Sequence, residues 1–205
     1  MPIKPRIFKA KTKSNKSIGN NITEVIFETK DDFIFYPGQY VRMTIPSLKE
    51  EKKGDNTRDF SIASSPTNKR EFTLAITNSD SKFKKMITTE PDLKVKVQGP
   101  LGILTLPEDI TRGIVFLAGG TGATPALSML RYIRDKKTAH KLTLVYGVDD
   151  KDELIYREEI EEIAEKNPDI NIVYNVGEID SEHLKESVSS NESTLWYVCG
   201  SPKMV

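Results

Sequence analysis

Through the first half of the chain, apolar and polar residues change places at about every second position. Residues 6–13 carry Ile7 in such a pattern, and residues 22–29 set Ile22, Val25 and Phe27 among Thr, Glu and Lys. Side chains of an extended strand point alternately to its two faces, so the pattern predicts half-exposed antiparallel strands. The same reading covers Gln39–Ile45, Arg58–Ala63, Glu71–Thr77 and Lys94–Gln98, with a short helix near Lys82–Thr88. Turn-forming residues separate them: Ser14–Asn21, Pro37-Gly38 and a charged loop from Ser47 to Asn56. Many short strands with turns between them predict a barrel or a sandwich.

From Ile114 the rhythm changes. Five apolar residues, Ile114–Ala118, are too few for a helix and suit a buried strand. Gly119, Gly120 and Gly122 form a permissive turn, and Pro125 fits the first helical position, where an N–H has no partner to lose. Ala126, Leu127, Leu130 and Ile133 then recur at helical spacing. Strands at 114–118, 141–147, 171–175 and 194–199 alternate with helices near 124–136, 152–166 and 181–188. That alternation predicts a parallel sheet with helices on both faces. The boundary falls within residues 100–112, giving one domain over 1–105 and a second over 106–205.

The strand–glycine turn–helix unit suits a phosphate, because free N–H groups at a helix start favour an anion and glycines let the backbone approach it. The motif reads Gly120-x-Gly122-x-x-Pro125. It lacks the third glycine of the dinucleotide fingerprint, and Ala139–Leu142 places no acidic residue about 20 positions on. An ordinary strand–helix turn explains the same letters.

The 205 residues suffice for one large or two small domains. A single Cys excludes an internal disulfide, a Cys-ligated iron–sulfur cluster and a Cys-based zinc site within one chain. No apolar run approaches the roughly 18 residues of a membrane span, and Met1–Arg6 lacks the apolar core of a signal peptide. A cytoplasmic protein is expected. The formal net charge is zero but divided: residues 1–98 carry 19 Lys+Arg against 12 Asp+Glu, and residues 99–205 carry 11 against 18. A basic half can steer an acidic partner, and two differently solvated surfaces fit as well. Nothing interleaves basic with aromatic residues as nucleic-acid binding would. His140 and His183 have no partners at ligand spacing and read as surface residues, so no metal site is expected.

Four motifs carry chemistry in a fixed order. They are Arg58-Asp-Phe-Ser61 running into Ile62-Ala-Ser-Ser-Pro66, then Gly99-Pro-x-Gly102, the glycine turn at 119–125, and Trp196-Tyr-Val-Cys-Gly-Ser-Pro-Lys-Met204. In this order and spacing the chain resembles the ferredoxin–NADP reductase superfamily, most closely its flavin reductases and other stand-alone members. The resemblance implies a flavin-binding antiparallel Greek-key β-barrel followed by an α/β parallel-sheet domain for a nicotinamide nucleotide. It implies FAD rather than FMN, NADH or NADPH as reductant, and hydride passing from nicotinamide C4 to flavin N5.

By the same resemblance Arg58 pairs with flavin phosphate, a role suited to a planar guanidinium. Phe60 lies against the flavin ring and Ser61 meets its N5 edge, with Ile62 next along the strand. Relatives often carry Tyr where Phe60 stands, and without that hydroxyl flavin is held less tightly. Alternation puts Phe60 and Ser61 on opposite faces, so both reach one ring only at a strand end. Ser81 and Lys82 occupy the place of a second phosphate loop, though Asp80 or Ser81 as a helix N-cap explains the same letters. Gly99 and Gly102 belong to the flavin site.

In the second domain Gly120, Thr121 and Gly122, with Thr124 and Pro125, face the dinucleotide pyrophosphate. Asp149, beside Asp150, falls near the adenosine ribose, where a carboxylate repels a 2′-phosphate and favours NADH. Both aspartates also fit as caps of the following helix. Cys199 stands beside nicotinamide C4 in a positioning role, with Gly200, Pro202 and Met204 completing its motif. A small buried hydrophobe is the other reading of Cys199.

The electron acceptor is then separate from the chain: free flavin, an acidic iron–sulfur protein, a flavodoxin or a haem protein. Two other readings stay open. One is an electron-transfer or regulatory subunit that needs a partner; the other is a flavin reductase for which flavin is a diffusing substrate. Relatives continue past the last motif with a helix and a strand, whereas this sequence ends at Val205. An uncovered apolar strip on the sheet is expected, whether the chain is minimal, covered by a partner or part of a longer protein.

Overall fold

The computed structural model describes residues 3–204 apart from 20, 51, 178, 180–183, 186–192, 202 and 203. Six antiparallel strands come first: β1 (Arg6–Ser17), β2 (Ile22–Thr29), β3 (Tyr40–Thr44), β4 (Thr57–Ser61), β5 (Glu71–Thr77) and, after helix α1 (Lys82–Thr89), β6 (Lys94–Leu101). Their order in the sheet is β4-β3-β6-β1-β2-β5. A bridge between Ile62 and Leu74 joins the end of β4 to β5, so the sheet curls round towards a barrel. Inward positions fill it with Val25, Phe27, Met43, Phe72, Leu74 and Val97, all fully buried. Phe27 and Phe72 stack at 5.1 Å. Each such side chain contributes about 1.5–3 kcal/mol of transfer free energy.

The second sheet is parallel: β7 (Ile114–Gly119), β8 (Leu142–Val148), β9 (Ile170–Val176) and β10 (Leu195–Cys199), ordered β10-β7-β8-β9. Helices α2 (Thr124–Lys136) and α3 (Arg157–Glu165) pack on one face, which carries Phe116, Leu144, Tyr146 and Ile170. The other face bears Val115 and Val145 with Leu117, Val173, Ile179 and Leu184 partly buried against them. Trp196 and Val198 of the edge strand β10 stay 46% and 39% exposed. The helix expected over 181–188 lies largely outside the described residues.

Three expectations about boundaries change. Strand β1 runs to Ser17 through a stretch that reads as a turn, because its main chain still pairs with β2 as far as Ser17 opposite Thr23. The outer residues Lys13–Ser17 are all exposed, so no period-two signal marks them. Pro125 is the second residue of α2, because a 3₁₀ turn at Gly120–Ala123 carries the chain into the helix one residue early. Helix α3 begins only at Arg157, since Tyr156 takes a left-handed conformation at φ 57° after a 3₁₀ turn at Lys151–Glu153.

His140 is buried rather than on the surface, its ring nitrogens bonded to the Thr138 hydroxyl at 2.9 Å and the Pro107 carbonyl at 3.0 Å. The first part of the connecting stretch, 104–107, is therefore packed, with Leu104 and Leu106 against the core and Tyr197 donating to the Thr105 carbonyl at 2.7 Å, while 108–111 stay exposed. His183 lies outside the described residues.

Candidate functional site

On β4, Arg58 and Phe60 share a face by the two-residue period. Both turn towards Phe83 of α1: the Phe60 and Phe83 rings lie 6.0 Å apart and the Arg58 guanidinium sits 5.6 Å from the Phe83 ring. The Arg58 Nη1 donates to the carbonyls of Gly54 and Thr57 at 2.8 and 2.7 Å. Its Nε and Nη2 have no partner among the described residues, which leaves a fork of donors matched to phosphate oxygens. Ser81 holds the N-cap position of α1 but makes no side-chain capping bond. Lys82 is the first residue of that helix. Arg58, Phe60 and the start of α1 are thus brought together.

The other barrel positions are arranged around β3. Ser61 pairs with Tyr40, and Tyr40 with Leu101. Gly102 lies under the Tyr40 ring, where a Cβ would stand 2.9 Å from the ring carbons. Ile62 is wholly buried in the barrel and its N–H donates to the Gln39 carbonyl at 3.0 Å, so its side chain is core. Gly99 is packed against Val41.

Gln39 and Tyr40 escaped the sequence reading. The buried Gln39 donates to the Gly102 carbonyl at 3.0 Å and accepts from the Tyr36 N–H at 2.8 Å. It ties the turn after β6 to the start of β3. A signal was present: alternation puts Gln39 on the face of Val41, Met43 and Ile45, one polar residue among apolar ones.

In the second sheet the strand order reverses beside β7, whose neighbours are β8 on one side and β10 on the other. Ligands of open α/β sheets bind in the crevice that this reversal leaves at the carboxyl ends of the strands. Gly119–Gly122 and Cys199–Gly200 lie there. Gly120 is left-handed at φ 51° with open space where a Cβ would be. Gly122 faces inward instead: a Cβ would fall 2.1 Å from the Cys199 carbonyl oxygen. Thr124 is buried and donates to the Thr121 carbonyl at 2.6 Å, and Pro125 is buried. Gly119, Gly120 and Thr121 are the half-exposed members of the turn, Gly119 with the Met204 sulfur against it.

Met204 packs its sulfur between Gly119 and Gly200. Pro202 lies outside the described residues. Cys199 is half-buried and unpaired, and burial pushes its thiol up, so it stays protonated at neutral pH. Asp149 is exposed beyond the end of β8. The loop beyond it is anchored by Tyr146, whose buried hydroxyl accepts from the Ile155 N–H at 3.2 Å.

The two halves meet along a seam. Ser128 of α2 donates to the Ser64 carbonyl at 2.7 Å, and Arg131 of α2 to the Ala63 carbonyl at 3.1 Å. These carbonyls follow directly on Ser61 and Ile62, while α2 follows directly on the glycine turn. Ala63 and Ala75 of the barrel share one apolar cluster with Ala126, Leu127 and Leu130. One surface depression of about 530 Å³ lies between Asn21, Asn78–Asp80 and α1, and one of about 320 Å³ lies along the seam at Glu24, Ser64 and Arg131. Among the described residues no group of three or more His, Cys, Asp or Glu could hold a metal. No described helix is long and apolar enough to cross a membrane.

Residues 116–205 match the model of the oxidoreductase NAD-binding domain family. The methane monooxygenase component C of Methylosinus trichosporium is 34% identical over 142 residues, 67% of this chain and 39% of that protein. Ferredoxin–NADP reductase B of Sorangium cellulosum is 31% identical over 161 residues, 77% of this chain and 64% of that protein. The cytochrome b5 reductase domain of Ulva prolifera nitrate reductase superposes with a TM-score of 0.82 at 20% identity, covering 97% of this chain and 88% of that one. The chain belongs to the ferredoxin–NADP reductase superfamily. It spans less than two thirds of the length of either of these two sequence relatives.

Proposed function

We propose that the protein is a flavin-dependent oxidoreductase that takes electrons from a nicotinamide dinucleotide and passes them to a separate acceptor. The observation that carries this reading is the seam: the main chain just after Ser61 is bonded to the helix that leads out of the Gly120 turn. These bonds hold the chain after the barrel strand against the helix that follows the glycine turn, which supports two neighbouring binding places.

FAD and NADH fit the donor sets. The free fork of Arg58 suits a phosphate, Phe60 offers a half-buried ring, and the first-turn N–H groups of α1 suit a second phosphate. Gly120 and Thr121 at the strand reversal suit the dinucleotide. When bound, the nicotinamide supplies the hydride and the flavin accepts it. The chain supplies orientation, which converts a chance encounter into an internal step. Cys199, protonated and half-buried, keeps a small neutral surface at the end of β10 and excludes water there. No acid or base is required of these residues.

Asp149 supports NADH over NADPH, because an exposed carboxylate opposes a 2′-phosphate. The ratio of kcat/KM for the two nucleotides tests it, and a preference for NADPH defeats it. An acidic carrier protein is the acceptor suited to the basic barrel, and reduction of such a carrier should slow as salt is added. Phe60 supports a second mode in which flavin exchanges as a substrate. Absorption of the purified protein decides between them: bound flavin at one per chain supports a resident cofactor. A colourless protein that oxidises NADH only with added flavin supports the second mode. A protein inert to both removes the proposal.

A further inference from the structure

A polar cluster outside the binding motifs sits in the seam. The side chain of Arg131 of α2 is 13% exposed and meets four residues on three other segments of chain. Its Nε and Nη2 grip both oxygens of Glu159 on α3 at 2.9 and 2.6 Å. Its Nη2 lies 3.8 Å from Glu24 of β2, its guanidinium carbon 4.8 Å from the Tyr156 ring, and its Nη1 donates to the Ala63 carbonyl at 3.1 Å. Tyr156 in turn donates to Glu24 at 2.6 Å while holding its left-handed backbone. That conformation is disfavoured for an aromatic residue and persists where surrounding contacts over-determine it.

Burial opposes ionisation of Glu159, but the hydrogen bonds and charges of Arg131 and Arg134 outweigh it and hold its carboxyl below the usual range. A buried ion pair adds little net stability over a packed apolar pair, yet it tolerates few geometries. This partly buried pair joins α2 to α3, and the remaining Nη1 of the same Arg131 carries the tie to the segment two residues after Ser61.

We propose that Arg131 is a positioning residue that sets the orientation of the flavin strand relative to the nucleotide turn, and so the rate at which electrons enter the flavin. It acts through the Ala63 main chain and α2. This rests on the function proposed above.

The test is the double variant Arg131→Met/Glu159→Met, which removes both partners together, while Glu24 keeps its bond from Tyr156 and Arg134 its bond to Asp135. Three quantities are compared with the wild type: the dissociation constants for FAD and NADH, the rate of FAD reduction at saturating NADH, and amide exchange at Ile62 and Ala63 without cofactors. The expected result is unchanged dissociation constants, reduction slowed by at least about tenfold, and faster exchange. Arg131→Lys, which keeps the charge but not the fork, should recover part of the rate. Wild-type reduction in the double variant overturns the proposal, as does equal loss of binding and rate. If the wild type itself reduces no FAD, the functional reading fails, and the exchange data then decide the seam: unchanged exchange overturns it there too.

Discussion

The barrel and the parallel sheet each contribute half of the candidate site, and they build it from different materials. In the barrel the half-site is made of side chains: Arg58 and Phe60 project from one face of β4 onto Phe83, and Gln39 braces the turn at Gly102. In the sheet it is made of backbone. Gly120 and Thr121 offer main chain at the strand reversal, and Gly122 and Met204 let β7 and β10 close up behind it. A side-chain site can lose one group and keep its frame. A backbone site depends on how closely the elements behind it approach.

The largest effect should come from filling that approach. Gly122→Val would drive a Cβ into the Cys199 carbonyl, and overpacking of this kind costs about 3 kcal/mol. NADH binding should be abolished while FAD still binds the barrel; titration with each ligand checks this, and retained NADH affinity would break the contrast. Next comes Arg58→Ala. Losing a charge-assisted hydrogen bond of about 1.5–3 kcal/mol should weaken FAD binding about 10- to 100-fold, with NADH affinity unchanged.

The sheet does have a side-chain anchor, Tyr146, and alkaline pH weakens it along with Tyr156, Tyr174 and Tyr197, whose phenols burial also pushes up. Burial pushes the Tyr146 phenol up to about 12 from an ordinary 10.0. Between those values the folded chain keeps a proton that the unfolded chain has released. Its contribution is therefore complete below pH 10 and fades as the pH rises to 12, by on the order of 2 kcal/mol. Denaturant melts across this range should show the fall, and Tyr146→Phe should make it shallower by the share of Tyr146. The smallest effect is expected at the exposed rim of the loop that Tyr146 anchors. Asp149→Ser should shift the NADH-to-NADPH ratio of kcat/KM towards NADPH by roughly tenfold, or about 1.4 kcal/mol. An unmoved ratio would remove Asp149 from the nucleotide's surroundings.

Much of this was legible in the residues. Strand and turn signals marked the barrel strands, and the change to apolar runs with helical spacing marked the parallel sheet. But in β1 Ile7 points outward while Ala10 and Thr12 are buried, and β5 is buried on both faces because it closes against β2 and the second domain. Ser14–Ser17 misread as a turn because both faces there are polar, and only pairing with β2 keeps them extended. The start of α3 misread because a left-handed Tyr156 breaks an otherwise helical pattern. At the site, residue type pointed to Arg58 and the glycine turn, but not to which members of the turn face outward. Gly122 and Gly120 are the same letter with opposite duties, and only the nearness of Cys199 separates them.

Local chemistry explains what the sequence by itself determined: where strands and helices form, that two sheets follow one another, and which motifs suit phosphates. These depend on neighbours within a few residues. Tertiary structure alone decided the strand order that opens the crevice beside β7, the burial of Ile62 and His140, and the meeting of Glu24, Ala63, Arg131, Tyr156 and Glu159. Glu24 and Tyr156 are hydrogen-bonded across 132 positions of chain, and no periodicity reports a contact of that span. Such pairings are fixed by how two cores pack against each other, which is a property of the folded whole.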